Sequence, residues 1–412
     1  MIKTTIIGGG ASGLMAAIAA AEEGNEVTVL EHKDVVGKKL SLTGNGKCNL
    51  TNMKQEKSYY YSNNSAFPCC ILNKFNHEAT IAFFEDMGLR VKDKNGYIYP
   101  NSECAADVTE LLVGRCRALG VNILYKSEVK KIIKSDSKIN VEYIKDDKRM
   151  IVESDNVIIA AGSKAMPKSG SDGSGYYFAK CLGHKIIEPL PALTGFKVNE
   201  KYIKNLSGVR AQGRVSVFAD GVNIGSDEGE IQFTSYGISG IPAFQISGNI
   251  SRNIYNGKKV SGYIDFFNDM SEDDLKAYIK EKIKKCPYKT IKEQFLSVIN
   301  GKITEEILFV CNIDRESVSS DLEDDKINNI SKIFKNFRFS VEEVNSFDNA
   351  QVCTGGVDTE EIDENTLESK LVPGVFFAGE VMDVDGICGG YNLQWAWSSG
   401  YVAGKSVAHR SI

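Results

Sequence analysis

No window of this sequence supplies the roughly 20 consecutive apolar residues that a membrane-spanning helix needs. Its N-terminal apolar run is interrupted by Gly8-Gly9-Gly10 and ended by Glu22-Glu23, so it reads neither as a span nor as a signal peptide. There is no C-x-x-C, and the four histidines (His32, His77, His184, His409) form no cluster beside the cysteines, so no zinc pattern is present. Ten cysteines scattered without framework spacing read as reduced thiols of a cytoplasmic protein, with vicinal Cys69-Cys70 the one pair to watch. Positive charge is not in excess: 49 Lys+Arg stand against 54 Asp+Glu, a net −5. That argues against a nucleic-acid protein held by bulk charge, though it leaves room for a local basic patch. No long repeat or low-complexity tract appears.

What is present is ordinary for a globular chain: 42% hydrophobic and 25% charged residues over 412 positions. That excludes dominant disorder and a small disulfide scaffold. At about 150 residues per domain, the length predicts two or three domains.

The first motif is a strand, a G-x-G-x-x-G turn, a helix, a second strand and an acid. Thr4–Ile7 is an apolar run, Gly8-Gly9-Gly10-Ala11-Ser12-Gly13 the turn, and Leu14–Glu23 an Ala-rich helix. Glu26–Leu30 is the second strand, and Glu31 ends it. Each part has a task in binding a dinucleotide. Gly8 allows the tight turn, Gly10 the close approach of a pyrophosphate, and Gly13 close packing of helix on strand. The helix N-terminus offers free N–H groups and the positive end of its dipole. Glu31 accepts from ribose hydroxyls and repels a 2′-phosphate. The motif alone does not choose FAD over NAD.

Several later segments bear on that choice. Gly37-Lys38-Lys39-Leu40 and Thr43-Gly44-Asn45-Gly46-Lys47-Cys48-Asn49 form a loop able to wrap a phosphate or ribityl chain. Val121–Ile133 reads as edge strands and contributes Val129. Asp155–Gly162 is an apolar strand ending in small residues, Ala161 and Gly162 among them, which permits close backbone approach. Near the C-terminus, Val375–Glu380 is another buried strand ending in Gly379 and Glu380. Asp385 and Gly389-Gly390-Tyr391-Asn392-Leu393 then lead into a helix from Trp395 to about His409. A second helix N-terminus there stabilises charge on a reduced flavin. No second complete dinucleotide fingerprint exists. Gly170–Gly175 is Gly-rich but lacks a following strand and acid, so it reads as a loop beside the flavin. One half-site at each end of the chain suits a single extended FAD.

Between the halves the pattern changes. From about Pro189 strands alternate: Gly213–Ile224 predicts a hairpin turning at Asp220-Gly221, and Glu230–Thr234 a further strand. From Ser271 the pattern is helical, with Ser271-x-x-Asp274 as a capping box and Leu275, Ile279 and Ile283 on one face. Helices are also predicted over Gln294–Ile299, Thr304–Cys311 and Asp321–Phe337, followed by a strand over Arg338–Val344. Lysines 276, 280, 282, 284, 285, 289 and 292 make this part basic. With few aromatics for base stacking it reads as a solvated face.

Together these stretches resemble a bacterial flavoprotein family, the BaiN-like or aminoacetone-oxidase-like FAD-dependent oxidoreductases. The matching pieces are Ile7–Leu14, Gly37–Leu40, Thr43–Asn49, Phe233–Gly240, Gly355-Gly356-Val357, and Phe377–Glu380 through Tyr391–Ala396. They span nearly the whole chain in the right order. The resemblance implies non-covalent FAD in a Rossmann-type α/β domain (1–189 and 350–412). That domain is interrupted by a β-rich, barrel-like domain (190–268 and 338–349), itself interrupted by a helical insert (269–337). It also implies that Gly8, Gly10, Ser12, Gly13, Glu31, Lys39, Gly46, Gly162, Gly379, Asp385 and Asn392 lie near FAD. The motif reading adds Ala11, Gly44, Lys47, Cys48, Asn49, Val129, Ala161, Glu380, Gly390 and Leu393. One departure bears on substrate: family members often carry His where this chain has Ser235, and Pro one position before Pro242.

The expected activity is hydride transfer at flavin N5 to or from a small organic molecule, with NADH or NADPH as a transient donor and an activated C=C bond as acceptor. Tyr236 and Tyr391, in polar Gly-flanked loops, are the catalytic candidates. The alternatives are an amine oxidase using O₂, and a flavin-binding protein with an RNA-linked or regulatory role. No metal, no membrane and no nucleic acid are expected, and the sequence leaves the oligomeric state open.

Overall fold

The computed structural model describes residues 1–135 and 137–408. His409, to which the sequence extends the last helix, lies outside the described residues. The chain forms two compact units: Met1–Leu190 with the segment from Gln351 onward, and Pro191–Ala350.

The first unit is built on a five-stranded parallel sheet. Its order is Val375–Phe377, Asn156–Ile159, Lys3–Ile7, Glu26–Leu30 and Asn122–Leu124. Asn156–Ile159 and Val375–Phe377 are buried at every position, because both faces of such a sheet are covered. The helix Ala11–Glu22 crosses from the first strand to its neighbour. Its alanines let the C-terminal helix Tyr391–Ser406 lie almost backbone to backbone against it. A Cβ at Gly400 would stand 2.4 Å from the Ser12 carbonyl oxygen, and one at Gly404 2.5 Å from that of Ala16. Trp395 and Trp397 on that helix are fully buried, and their indole N–H groups donate to the carbonyls of Gly379 and Leu50. The unit also holds two three-stranded antiparallel sheets: Glu128–Lys134, Ile139–Lys145 and Lys148–Ser154, and Thr51–Asn52, Tyr97–Pro100 and Val91–Lys94.

The second unit contains a closed six-stranded barrel, in the order Phe196–Val198, Gly237–Gly240, Val222–Phe233, Arg210–Ala219, Val260–Asp265 and Phe337–Val344. The hairpin turns at Asp220-Gly221, both left-handed (φ 48° and 84°), as a type I′ turn requires. The predicted separate strand at 230–234 is instead the end of the hairpin's own second strand, which runs 12 residues. Four helices follow: Glu272–Lys285, Ile291–Gln294, Gly301–Val310 and Asp324–Lys335. The Ser271/Asp274 capping box is formed.

The expected helix over Gln294–Ile299 is a correction. A second capping box, Thr290 with Glu293, starts a helix earlier, and it stops at Gln294. Beyond it Phe295 is buried and Ser297 adopts φ 63°, which a helix does not tolerate. Apolar side chains run continuously from the barrel into these helices, with the Phe295 and Phe334 rings in tilted contact, their centres 4.7 Å apart. Three of the lysines expected to make this region basic are paired: Lys280 with Asp324, Lys285 with Glu281, and Lys292 with Glu305. Among the described residues no helix is long and apolar enough to cross a membrane.

Candidate functional site

In the first unit, residues from both ends of the chain meet at the C-terminal ends of the parallel strands, where open α/β sheets bind ligands. Gly8 leaves the first strand with φ 103°, and the helix Ala11–Glu22 begins at Gly10 with no side-chain cap. A Cβ on Gly10 would meet nothing within 4 Å, so there is open space at this helix end. A Cβ on Gly13 would lie 1.9 Å from the Gly8 carbonyl oxygen, which bars any side chain. Ser12 Oγ donates to the Ala378 carbonyl at 3.3 Å, joining the turn to the C-terminal strand and Gly379.

Glu31 is buried, and its carboxylate is held at both oxygens. Gly9 N–H donates to Oε2 and Lys33 N–H to Oε1, each at 2.8 Å. Beside it, His32 Nε2 is buried with no hydrogen-bond partner, next to Gly170 of the Gly-rich loop. Val129 follows closely on Ser127, whose N–H donates to the Glu31 carbonyl. Ala161 and Gly162 end the Asn156–Ile159 strand against Gly175 and Ser171.

The segment Thr43–Asn49 is a left-handed turn, with φ 56° at Gly44, 55° at Asn45, 82° at Gly46 and 57° at Cys48. Consecutive N–H groups in such a turn converge into an anion-binding concavity. Burial pushes the Cys48 thiol up to about 12, with Thr43 opposing weakly, so it stays protonated. Asn49 Oδ1 is buried without a partner, and a Cβ on Gly390 would stand 3.0 Å from it. Gly390 (φ 98°) starts the helix Tyr391–Ser406, which also lacks a side-chain cap.

Other expected site residues are occupied within the protein. Lys39 Nζ pairs with Glu380 Oε2 at 2.6 Å, and Ser163 Oγ donates to the same oxygen. Lys47 pairs with Glu103 at 3.1 Å. Asn392 spends its side-chain amide on the loop before it, accepting from Gly386 N–H and donating to the Gly386 carbonyl. It therefore shapes this loop. Asp385 pairs as a short strand with Tyr61, and Leu393 packs on the core.

Tyr391 is nearly enclosed, 5.1 Å from the Tyr59 ring and 5.8 Å from that of Tyr60. Burial first, then Tyr59, Tyr97 and Glu56, raise its phenol well above the ordinary tyrosine value. Tyr236, the other catalytic candidate, lies in the second unit between Phe233 and Gly237, its hydroxyl beside Gly195.

The family described as "HI0933-like protein Rossmann domain" matches residues 2–406. The chain belongs to the HI0933-like family. It is 40% identical over 412 residues, all of both chains, to a protein named 3-dehydro-bile acid delta(4,6)-reductase from Clostridium scindens. It is 29% identical over 99% of both chains to a ribosomal RNA dihydrouridine synthase from Haemophilus influenzae. Among solved structures, a 3-ketosteroid-delta4-(5alpha)-dehydrogenase from Rhodococcus jostii RHA1 aligns at 15% identity and TM-score 0.47, covering 99% of this chain and 97% of that one.

This HI0933-like chain is an FAD-dependent oxidoreductase. Its residues fit the cofactor on four counts: two uncapped helix N-termini, open space at Gly10, a fixed buried carboxylate at Glu31, and an unsatisfied amide oxygen at Asn49.

Sequence reasoning missed the aromatic and basic side chains beside the Thr43–Asn49 turn. Tyr59, Tyr97, Tyr99, Lys92, Lys94 and Glu103 belong to no motif; strand pairing places Tyr97, Tyr99, Lys92 and Lys94 there, the ring contact with Tyr391 places Tyr59, and the lysine ion pairs place Glu103. His32 stands in no motif, and no partner for it is visible in sequence. Its unsatisfied Nε2 is the sign that the sequence could not give.

Proposed function

We propose that this protein reduces a carbon–carbon double bond conjugated to a ketone in a small, planar, largely apolar substrate of the steroid type. The observation that carries this reading is 40% identity, over the whole of both chains, with a reductase named for a 3-dehydro-bile acid. FAD, when held at this site, would supply the two-electron chemistry that links a nicotinamide nucleotide to the β carbon of the enone.

The protein's part is binding, orientation and proton supply. The free N–H groups at Ala11–Gly13 hold the pyrophosphate, and Glu31 accepts from the adenosine ribose. The Thr43–Asn49 turn, with the helix N-terminus at Gly390, supports the ring-bearing half. With its phenol pushed up by burial and its tyrosine neighbours, Tyr391 stays protonated at neutral pH and can hydrogen-bond the ketone oxygen or supply a proton to the α carbon.

A second reading shares this chemistry. Uracil also carries a C=C bond conjugated to a carbonyl, and relatives at 29% and 28% identity are named ribosomal RNA dihydrouridine synthases.

The test is anaerobic mixing of purified, FAD-loaded protein with NADH or NADPH, followed by a 3-keto-Δ4,6 steroid. Bleaching near 450 nm, then recovery of the yellow colour with loss of the enone band, is the expected result. Recovery only with uridine-containing RNA would move the reading to the second substrate. Peroxide released from an amine, with no bleaching by either nucleotide, would overturn it.

A further inference from the structure

The sheet formed by Thr51–Asn52, Tyr97–Pro100 and Val91–Lys94 continues directly from the Thr43–Asn49 turn. Its hairpin pairs Lys92 with Tyr99 and Lys94 with Tyr97, so these four side chains share one face. That face is turned to the two glycine-rich loops. Tyr97 Cε1 lies 3.0 Å from where a Cβ on Gly389 would stand, and Tyr99 Cε1 3.8 Å from one on Gly44. Lys94 Nζ also lies over the Tyr99 ring, 5.5 Å from its centre.

Three lysines then converge on one acid. Lys47, Lys92 and Lys94 all pair with Glu103, and their hydrogen bonds hold that carboxyl far below its ordinary value. Within this ion-paired cluster three positive charges meet one negative. Asp93 stands outside the cluster: strand alternation puts it on the opposite face, where it accepts from Gly96 N–H. The lysine side chains are 29–51% exposed, so their remaining donors reach solvent. Beside them Tyr97 presents exposed aromatic surface, 42% accessible. Cation and flat apolar surface therefore stand side by side against the loops that the proposed function assigns to the flavin.

We infer that Lys47, Lys92 and Lys94 form the subsite for an anionic group on the substrate, a carboxylate carried at a distance from the reducible double bond. The apolar body of the substrate lies along Tyr97. Glu103 pre-organises the ammonium groups and gives up one of them when the substrate carboxylate arrives. This rests on the reductase reading above and adds to it the charge class of the substrate.

The experiment compares kcat/KM of the FAD-loaded enzyme for a 3-keto-Δ4,6 steroid carrying a side-chain carboxylate and for its methyl ester. The wild-type enzyme should prefer the carboxylate about tenfold at low salt. That preference should shrink as ionic strength rises. In Lys92→Met/Lys94→Met the ratio should approach one, and in Lys92→Arg/Lys94→Arg it should persist. Glu103→Gln should raise it, the opposite sign, which a merely structural role would not produce. Equal kcat/KM for acid and ester in the wild type, or a ratio that survives Lys92→Met/Lys94→Met, overturns the inference and leaves the reductase reading standing. Failure to reduce either steroid removes that reading and this inference with it. Lysine-dependent reduction of a uridine oligonucleotide in place of the steroid overturns the assignment to a small anion.

Discussion

Cys48 shows what position does to a reactive group. The thiol stands in the turn assigned to the flavin, yet it is fully buried with its pKa pushed up to about 12. At pH 8 only about one molecule in ten thousand would carry the thiolate that alkylating agents need. Exposed Cys181 has no such protection. Brief treatment of the native protein with iodoacetamide at pH 8 should therefore label Cys181 and leave Cys48 unmodified by mass spectrometry. Equal labelling of the two would refute this burial. The neighbouring Asn49 was legible as a site residue from its place in a Gly-rich run. Its unsatisfied amide oxygen was not, because an orphaned acceptor is a property of packing.

Among the elements, the helix Ser174–Cys181 is tied to the segment before the last strand through His184. Ser369 Oγ accepts from Leu371 N–H and Val372 N–H, which leaves its own proton to donate to His184 Nε2 at 2.7 Å. The imidazole therefore carries its proton on Nδ1 and donates it to Glu361 at 3.1 Å. This chain of Ser, His and acid has the composition of a hydrolytic triad, but all of its His–Ser contact is buried and it fixes structure.

Burial lowers the His184 pKa, against an opposing pull from Glu361. The folded value lies below the unfolded one, so this contribution is complete above the ordinary histidine pKa. It is lost as pH falls through the folded value. The melting temperature should decline on going from pH 7.5 to 5, and His184→Gln should start lower but decline less. Parallel pH curves for the two proteins would show that another group governs acid stability.

The same scale shows which signals a sequence can carry. The strand, turn, helix and acid from Thr4 to Glu31 were legible because each partner lies within 28 residues and every role is local. The hairpin turn at Asp220-Gly221 was legible for the same reason. Lys92, Lys94 and Tyr97 were not, because they reach the site only through pairing of Tyr97 with Asn52 and Ile98 with Thr51, across more than forty residues. The helix expected over Gln294–Ile299 failed because the stronger cap at Thr290 lay just upstream.

In the whole molecule, each unit has its own set of buried apolar side chains. FAD assigned to the first unit alone should stabilise that unit by about 2.7 kcal/mol at a hundredfold excess over Kd. Scanning calorimetry should then show one transition moving upward with added FAD while the other stays in place. A single transition that moves as a whole would mean that the units unfold together.

The parallel sheet has a further consequence in time. Its strands come from residues 3–7, 26–30, 122–124, 156–159 and 375–377, and the helix that covers it ends the described chain. Synthesis at about 5–20 residues per second takes about 20–80 s for a chain of this length. Through most of that interval the early strands exist without their last neighbour or the tryptophan-bearing helix. The inserted unit, begun later, can be finished before they are. A nascent chain thus closes its interruption before its framework, so the turn at Gly8–Gly13 waits, open to solvent and to chaperones, for partners that the ribosome delivers more than 350 residues later.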